Sequence, residues 1–259
     1  MLRILLTPRW IALHAVTVAV VVGFVALGWW QLDVYRDSES RQDLRDRPGV
    51  PVSDLVEPDG DLGAGADRAV VATGSYLRGS ALTVPARVRD GILGSYVVAA
   101  LRTSDGGTLT VLRGWVDDRD DPSGAAPGGA VTVTGHLLSP ETAADATVSD
   151  SDLSAGEIGF VAPDSVAVAA GLAGNGFYPG YLLLDDEEPR PAASPESLDV
   201  DVIDPIGDVS PWQNLSYWAQ WWVFAGAAVV FWVSFVRAAT RRRSQTLTDA
   251  AARDEVRSA

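Results

Sequence analysis

The sequence predicts a membrane protein, with two transmembrane α-helices flanking an extracytoplasmic, mainly antiparallel β domain of the α+β type. Three observations predict it. Two long apolar runs without a formal charge stand toward the two ends of the 259 residues. Arginines flank both runs on the side away from the middle of the chain. The 179 residues between them, 33–211, alternate in the manner of short strands and carry most of the acid.

Residues 1–9, with Arg3 and Arg9, read as a cytoplasmic N-terminus. The first span, residues 10–32, is WIALHAVTVAVVVGFVALGWWQL, 23 uncharged residues. A helix rises about 1.5 Å per residue, so roughly 20 such residues cross a hydrocarbon core of about 30 Å. The run is longer than the apolar stretch of a signal peptide, and no small-x-small site follows closely, so an uncleaved anchor is expected. The second span, 212–236, holds the uncharged run Leu215–Val236, and residues 237–259 form an Arg-rich tail. Positive flanks stay inside, which places both termini in the cytoplasm and the middle outside the plasma membrane. Six tryptophans (Trp29, Trp30, Trp212, Trp218, Trp221 and Trp222) gather where the spans meet the outer surface, as indoles do at headgroup level.

The folded core of the outer domain is expected at about 67–184. Ala69–Tyr76, Ala81–Val88, Ser95–Leu101, Leu109–Val116, Ala130–Leu138 and Phe177–Leu184 are rich in β-branched and apolar residues and read as strands. Arg89-Asp90-Gly91 and Asp105-Gly106-Gly107 mark hairpin turns. Pro163-Asp164-Ser165 opens a helix to about Ala170, stopped by Gly171. The Asp-, Gly- and Pro-rich segments Asp46–Asp67, Asp117–Gly129, Pro140–Gly156 and Asp185–Asp208 read as loops, and Asp185-Asp186-Glu187-Glu188 as a solvated turn rather than a calcium site.

Composition excludes much chemistry. A net charge of −14 argues against nucleic-acid binding. Cysteine is absent, and the histidines are His14 and His136, so thiolate metal sites and cysteine nucleophiles have no donors. No nucleophile elbow, phosphate loop or dinucleotide fingerprint occurs, and the carboxylates sit in loops rather than at strand ends. An enzyme is not expected. His14 is different, because it is ionisable inside lipid. It is either a haem ligand or a side chain that reaches the interface or contacts a helix. Tyr217, Trp221 and Phe224 share a helix face, which packs on the first span or docks a partner. Gln31 and Gln220 lie at matching depths, where amides can bridge helices. In Arg113-Gly114-Trp115 the indole is a core residue, or else Trp115 faces the membrane while Arg113 reaches a haem propionate or a partner carboxylate.

Several segments in order resemble the Surfeit locus protein 1 family. Gly28-Trp29-Trp30-Gln31-Leu32 is similar to its G-x-W-Q-L signature. Val71–Tyr76, Arg87–Tyr96 and Val111–Val116 are similar to its strand motifs, and Gly135–Glu141 to a following one. Asn214–Ala225 resembles its closing motif, so the resemblance runs from about Trp10 to Arg237. It implies a non-enzymatic factor, chaperone-like, that assists cytochrome c oxidase assembly by aiding haem a insertion or maturation of the catalytic subunit. The implied partners are oxidase subunits, the catalytic one foremost, within the respiratory chain and the lipid bilayer. The alternatives are a structural accessory subunit of a respiratory oxidase complex and an extracytoplasmic module for envelope ligands. A family histidine at the start of the second span suggests haem a as cofactor. Asn214 stands at that position here, and a carboxamide is a poor axial ligand beside imidazole. The positions expected to face a cofactor are His14, Arg113 and Asn214. Those expected to contact a partner or helix are Gly28, Trp30, Gln31, Gly114, Trp115, Tyr217, Gln220 and Trp221.

Overall fold

A computed structural model describes the backbone of residues 7–172, 176–206 and 211–258, and their side chains apart from positions 122, 211, 212, 214 and 242–258. The chain divides into two units: Met1–Glu39 together with Gly207–Ala259, and Ser40–Ile206.

The first unit is built from two helices. Helix α1 spans Pro8–Arg45. Proline at its start fits the first turn, where the missing N–H has no intrahelical partner, and nothing breaks the run before Pro48-Gly49. It thus continues well past Leu32, where the apolar stretch ends. Helix α4, Pro211–Ser258, also opens on proline and carries the tail in helical backbone. Both contain an apolar stretch long enough to cross a membrane, and only 6 % of either stretch is buried within the protein. A core helix of a soluble domain would be covered; these turn their apolar side chains outward, as helices in lipid do.

The second unit is a mixed sheet that closes on itself. Its strands are β1 (Val50–Pro51), β2 (Arg68–Tyr76), β3 (Leu82–Arg89), β4 (Ile92–Thr103), β5 (Thr108–Val116), β6 (Val131–Leu138) and β7 (Phe177–Glu188). The order β1-β2-β6-β7-β5-β4-β3, with a further β2–β4 pairing, makes β2, β6, β7, β5 and β4 a closed ring of five. The pairing is mainly antiparallel, as expected, but β7, antiparallel to β6, runs parallel to β5, with Leu183 opposite Leu112. Short β1 also pairs in parallel with β2. Strand alternation says which face is buried but not which strand lies alongside.

The turn between β3 and β4 is Asp90-Gly91, both at positive φ (49° and 80°). This is the geometry a two-residue hairpin requires. Inside the ring lies one core, with Val70, Ala99, Leu101, Leu109, Val133 and Leu182 contributed by all five strands. A second core covers the outer face of β4, β5 and β7, where Val98, Leu112 and Leu183 meet helix α2 (Pro163–Ala169) and Leu198. Gly135 is required where β6 crosses β7, since an added Cβ would lie 1.9 Å from the Leu183 carbonyl oxygen.

Candidate functional site

Strand β5 is buried at all nine positions, and Arg113 continues the inward set begun by Leu109 and Val111. Its side chain is fully enclosed. Nη1 donates to the carbonyls of Gly124 (3.3 Å) and Ala125 (3.0 Å), and Nη2 to Glu187 Oε2 (3.3 Å). The guanidinium also lies over the Tyr76 ring, 5.4 Å from its centre. Burial pushes the Tyr76 phenol far above its ordinary value, and the Glu187 carboxylate adds to the rise. Three buried polar side chains on three strands thus make one layer inside the ring, tied to the 124–125 segment. Cavities of about 310 Å³ and 620 Å³ border this layer, the first at Arg113 and Glu187 and the second at Tyr76.

Glu187 corrects the reading of the acidic run. Residues 185–188 are the end of strand β7, not a turn, and Glu187 is buried between exposed Asp186 and Glu188. Of the four acids only Glu187 is buried, and the register shift beside Asp185 breaks the period of two, so composition carried no signal for it. Carboxylates therefore do occupy a strand end, but Glu187 faces a guanidinium, not a second carboxylate or a base.

The neighbours of Arg113 decide the rest of its motif. Gly114 sits at φ +149°, and a Cβ there would come within 2.5 Å of the Glu196 carbonyl oxygen. That close approach lets residue 196 exchange two backbone hydrogen bonds with Trp115, at 2.8 and 2.9 Å. Trp115 is buried in the second core, and its Nε1–H donates to the Arg87 carbonyl at 2.9 Å. Both side chains are buried in the barrel unit, Trp115 in its second core and Arg113 inside the ring.

A charged cluster escaped the sequence reading. Arg45, whose side chain is 2 % exposed, donates to Asp67 (2.8 Å), Asp201 (3.1 Å) and Asp204 (3.0 Å), and to the Asp204 carbonyl (2.7 Å). Arg41, one turn earlier, bonds Asp67 at 2.8 Å and Asp204 at 2.5 Å. Burial alone would raise Asp67, but the hydrogen bonds and charges of Arg41 and Arg45 outweigh it and hold the carboxyl below its ordinary value. The cluster joins the end of α1 to the start of β2 and to the short helix α3 (Val200–Ile203), so both chain segments that lead toward the spans are fastened to the barrel. The i, i+4 spacing of Arg41 and Arg45 was its only mark in the sequence. Nearby on β6, His136 Nδ1 lies 3.1 Å from Asp185 Oδ2, off the hydrogen-bond line. That contact raises the imidazole pKa against the opposing effect of burial.

In the helical unit, Trp232 Nε1 donates to His14 Nδ1 at 2.9 Å. Phe24 stacks on Trp221 and meets Phe224, with ring centres 5.9 and 5.7 Å apart. Gly28 leaves room for α4, since an added Cβ would lie 3.2 Å from Trp222 Nε1. Trp30 and Tyr217 are exposed. Gln31 is buried and Gln220 exposed. The side chain of Asn214 lies outside the described residues.

His14 and Arg113 both have protein partners in this structure. An indole N–H can only donate, so His14 Nδ1 is the acceptor and the ring proton stands on Nε2. Arg113 is held by Glu187 and by the 124–125 carbonyls, beside the cavity of about 310 Å³. Among the described residues, no three His, Asp or Glu side chains converge as a metal site would require. What the arrangement does is hold segments together.

Comparison with known proteins follows the same outline. The family model described as the SURF1 family matches residues 18–226. SURF1-like proteins of Mycobacterium bovis and of two strains of Mycobacterium tuberculosis are each 33 % identical over 150 residues, 54 % of this chain and 55 % of theirs. The chain spans about half the length of the curated relatives it matches.

Proposed function

Because the chain belongs to the SURF1 family, we propose that it is a membrane-anchored, non-enzymatic factor for assembly of cytochrome c oxidase, aiding haem a insertion or maturation of the catalytic subunit. The observation that carries this reading is the family match over residues 18–226, which takes in most of the first span, the whole barrel unit and the start of the second span. The buried polar groups support a binding role over a chemical one. Arg113, Glu187 and the Arg45 cluster are engaged with one another and with backbone carbonyls, in an arrangement that organises a scaffold. Arginines flanking the two spans support an orientation with both termini cytoplasmic and the barrel outside the plasma membrane.

Deletion of the gene tests the reading. Reduced-minus-oxidised spectra of the membranes should lose haem a absorbance, with oxidase activity falling in proportion, and the full chain supplied in trans should restore both. Unchanged haem a absorbance and oxidase activity in the deletion would overturn it.

A further inference from the structure

The second helix holds His14 in one tautomer. With Nδ1 accepting from Trp232 at 2.9 Å, the imidazole presents an N–H at Nε2, and the rings of Trp10 and Trp232 flank it at 5.9 and 5.5 Å. A cleft of about 260 Å³ begins at this histidine and runs between the helices past Thr17, Val18, Val21, Val22 and Val229. Thr17 contributes no free donor, since its hydroxyl donates to the Leu13 carbonyl at 2.9 Å. The imidazole N–H is therefore the donor this otherwise apolar cleft can offer.

Depth identifies what would meet it. His14 stands four residues inside the uncharged run that starts at Trp10, about 6 Å down a helix. Val22 stands twelve residues in, about 18 Å, just past the middle of a core of about 30 Å. Helical side chains lean toward the helix N-terminus, so the imidazole reaches back from that depth toward the ester carbonyls at the core boundary, and the cleft extends from there to the bilayer centre, the reach of one leaflet's acyl chain. A polar N–H held in that apolar setting needs an acceptor. A cleft of about 260 Å³ that runs along the helices suits a single methylene chain.

We propose that this cleft binds an acyl chain of an ester-linked glycerolipid from the leaflet at the N-terminal end of the first span, its ester carbonyl accepting a hydrogen bond from His14 Nε2. Lipid held there would fill the gap between the helices and fix their packing.

The test uses the purified full chain with two probes, a dipalmitoyl phosphatidylcholine and its ether-linked analogue, which lacks the carbonyls. Lipid retained after detergent exchange is counted by native mass spectrometry. The wild type should retain the ester lipid roughly three- to tenfold better than the ether lipid, the range for one hydrogen bond of this kind. His14→Phe keeps a ring in place and should abolish the preference. Val22→Trp fills the cleft while leaving the His14–Trp232 pair intact, and should lose both lipids. Equal retention of the two lipids by the wild type, a preference that survives His14→Phe, or full retention by Val22→Trp would each overturn the proposal. A dimer peak in place of retained lipid would assign the cleft to a second copy and overturn it as well.

Discussion

Arg45→Met removes the centre of the cluster that fastens the domain's two end segments, and the cost follows from what is left behind. Arg45 is 2 % exposed at its side chain and Asp67 10 %, so the substitution strands a carboxylate out of water. Removing one member of a buried pair costs about 3–5 kcal/mol. Arg41 still holds Asp67 at 2.8 Å, which argues for the low end, about 3 kcal/mol. The absence of native cysteine makes this measurable in the full chain. Val111→Cys puts a lone thiol inside the ring, where Val111 is fully buried. With reclosure faster than reaction, thiol labelling reports the opening equilibrium. About 3 kcal/mol corresponds to roughly a hundredfold faster labelling. The sign with pH is fixed by Asp67. Its carboxyl titrates lower in the folded state than in the unfolded, so this stability is present above the ordinary carboxylate range and is lost as pH falls through the depressed value. The difference between wild type and variant should therefore narrow in acid. Acceleration below about fivefold at neutral pH, or a difference that widens in acid, would refute the reasoning.

Three further outcomes are expected. Arg113→Met, which leaves Glu187 unpaired inside the ring, should destabilise by about 3–5 kcal/mol in the same labelling assay, and adding Glu187→Leu should recover most of that loss. Gly114→Ala drives a methyl into the Glu196 carbonyl and should lower the thermal midpoint by the equivalent of at least about 2 kcal/mol, while Gly128→Ala, where a Cβ meets nothing within 4 Å, should not. His136→Gln removes an imidazole whose pKa is raised in the folded state. The wild type should therefore be more stable than the variant below the ordinary imidazole pKa, and this advantage should fade as pH rises through the raised value, as read from Tm across the neutral range.

The elements that were legible in the sequence are those whose apolar residues alternate or run together between turn signals. Each of the six strand segments reappears within a few residues: β2 and β6 through their period of two, and β4, β5 and β7 as runs of β-branched and apolar residues covered on both faces. Misreadings cluster where polarity and burial part company. Asp185-Asp186-Glu187-Glu188 looks solvated by composition, and three of the four acids are exposed, yet Glu187 turns into the ring. Residues 33–45 look like domain surface because hydropathy drops at Asp33, yet helix formation continues while nothing interrupts the backbone. Arg113 was visible as an unusual residue within an apolar segment, but its orientation depended on β7, whose pairing with β5 lies about 70 residues away in the chain. The His14–Trp232 contact, separated by 218 positions, is likewise a product of helix pairing that no local pattern encodes.

The closing of the ring by β7 has a consequence for how the protein is made. The last strand to be synthesised slots between two older neighbours, β6 on one side and β5 on the other. Until Glu188 has been added, both neighbours carry a bare row of backbone donors and acceptors, ready to pair with whatever strand arrives first. A ribosome that stalls, or a protease that cuts, within residues 139–176 would leave an open horseshoe liable to stick to its own kind. The finished hoop has no such seam, so the hazard ends when the final staves are in place.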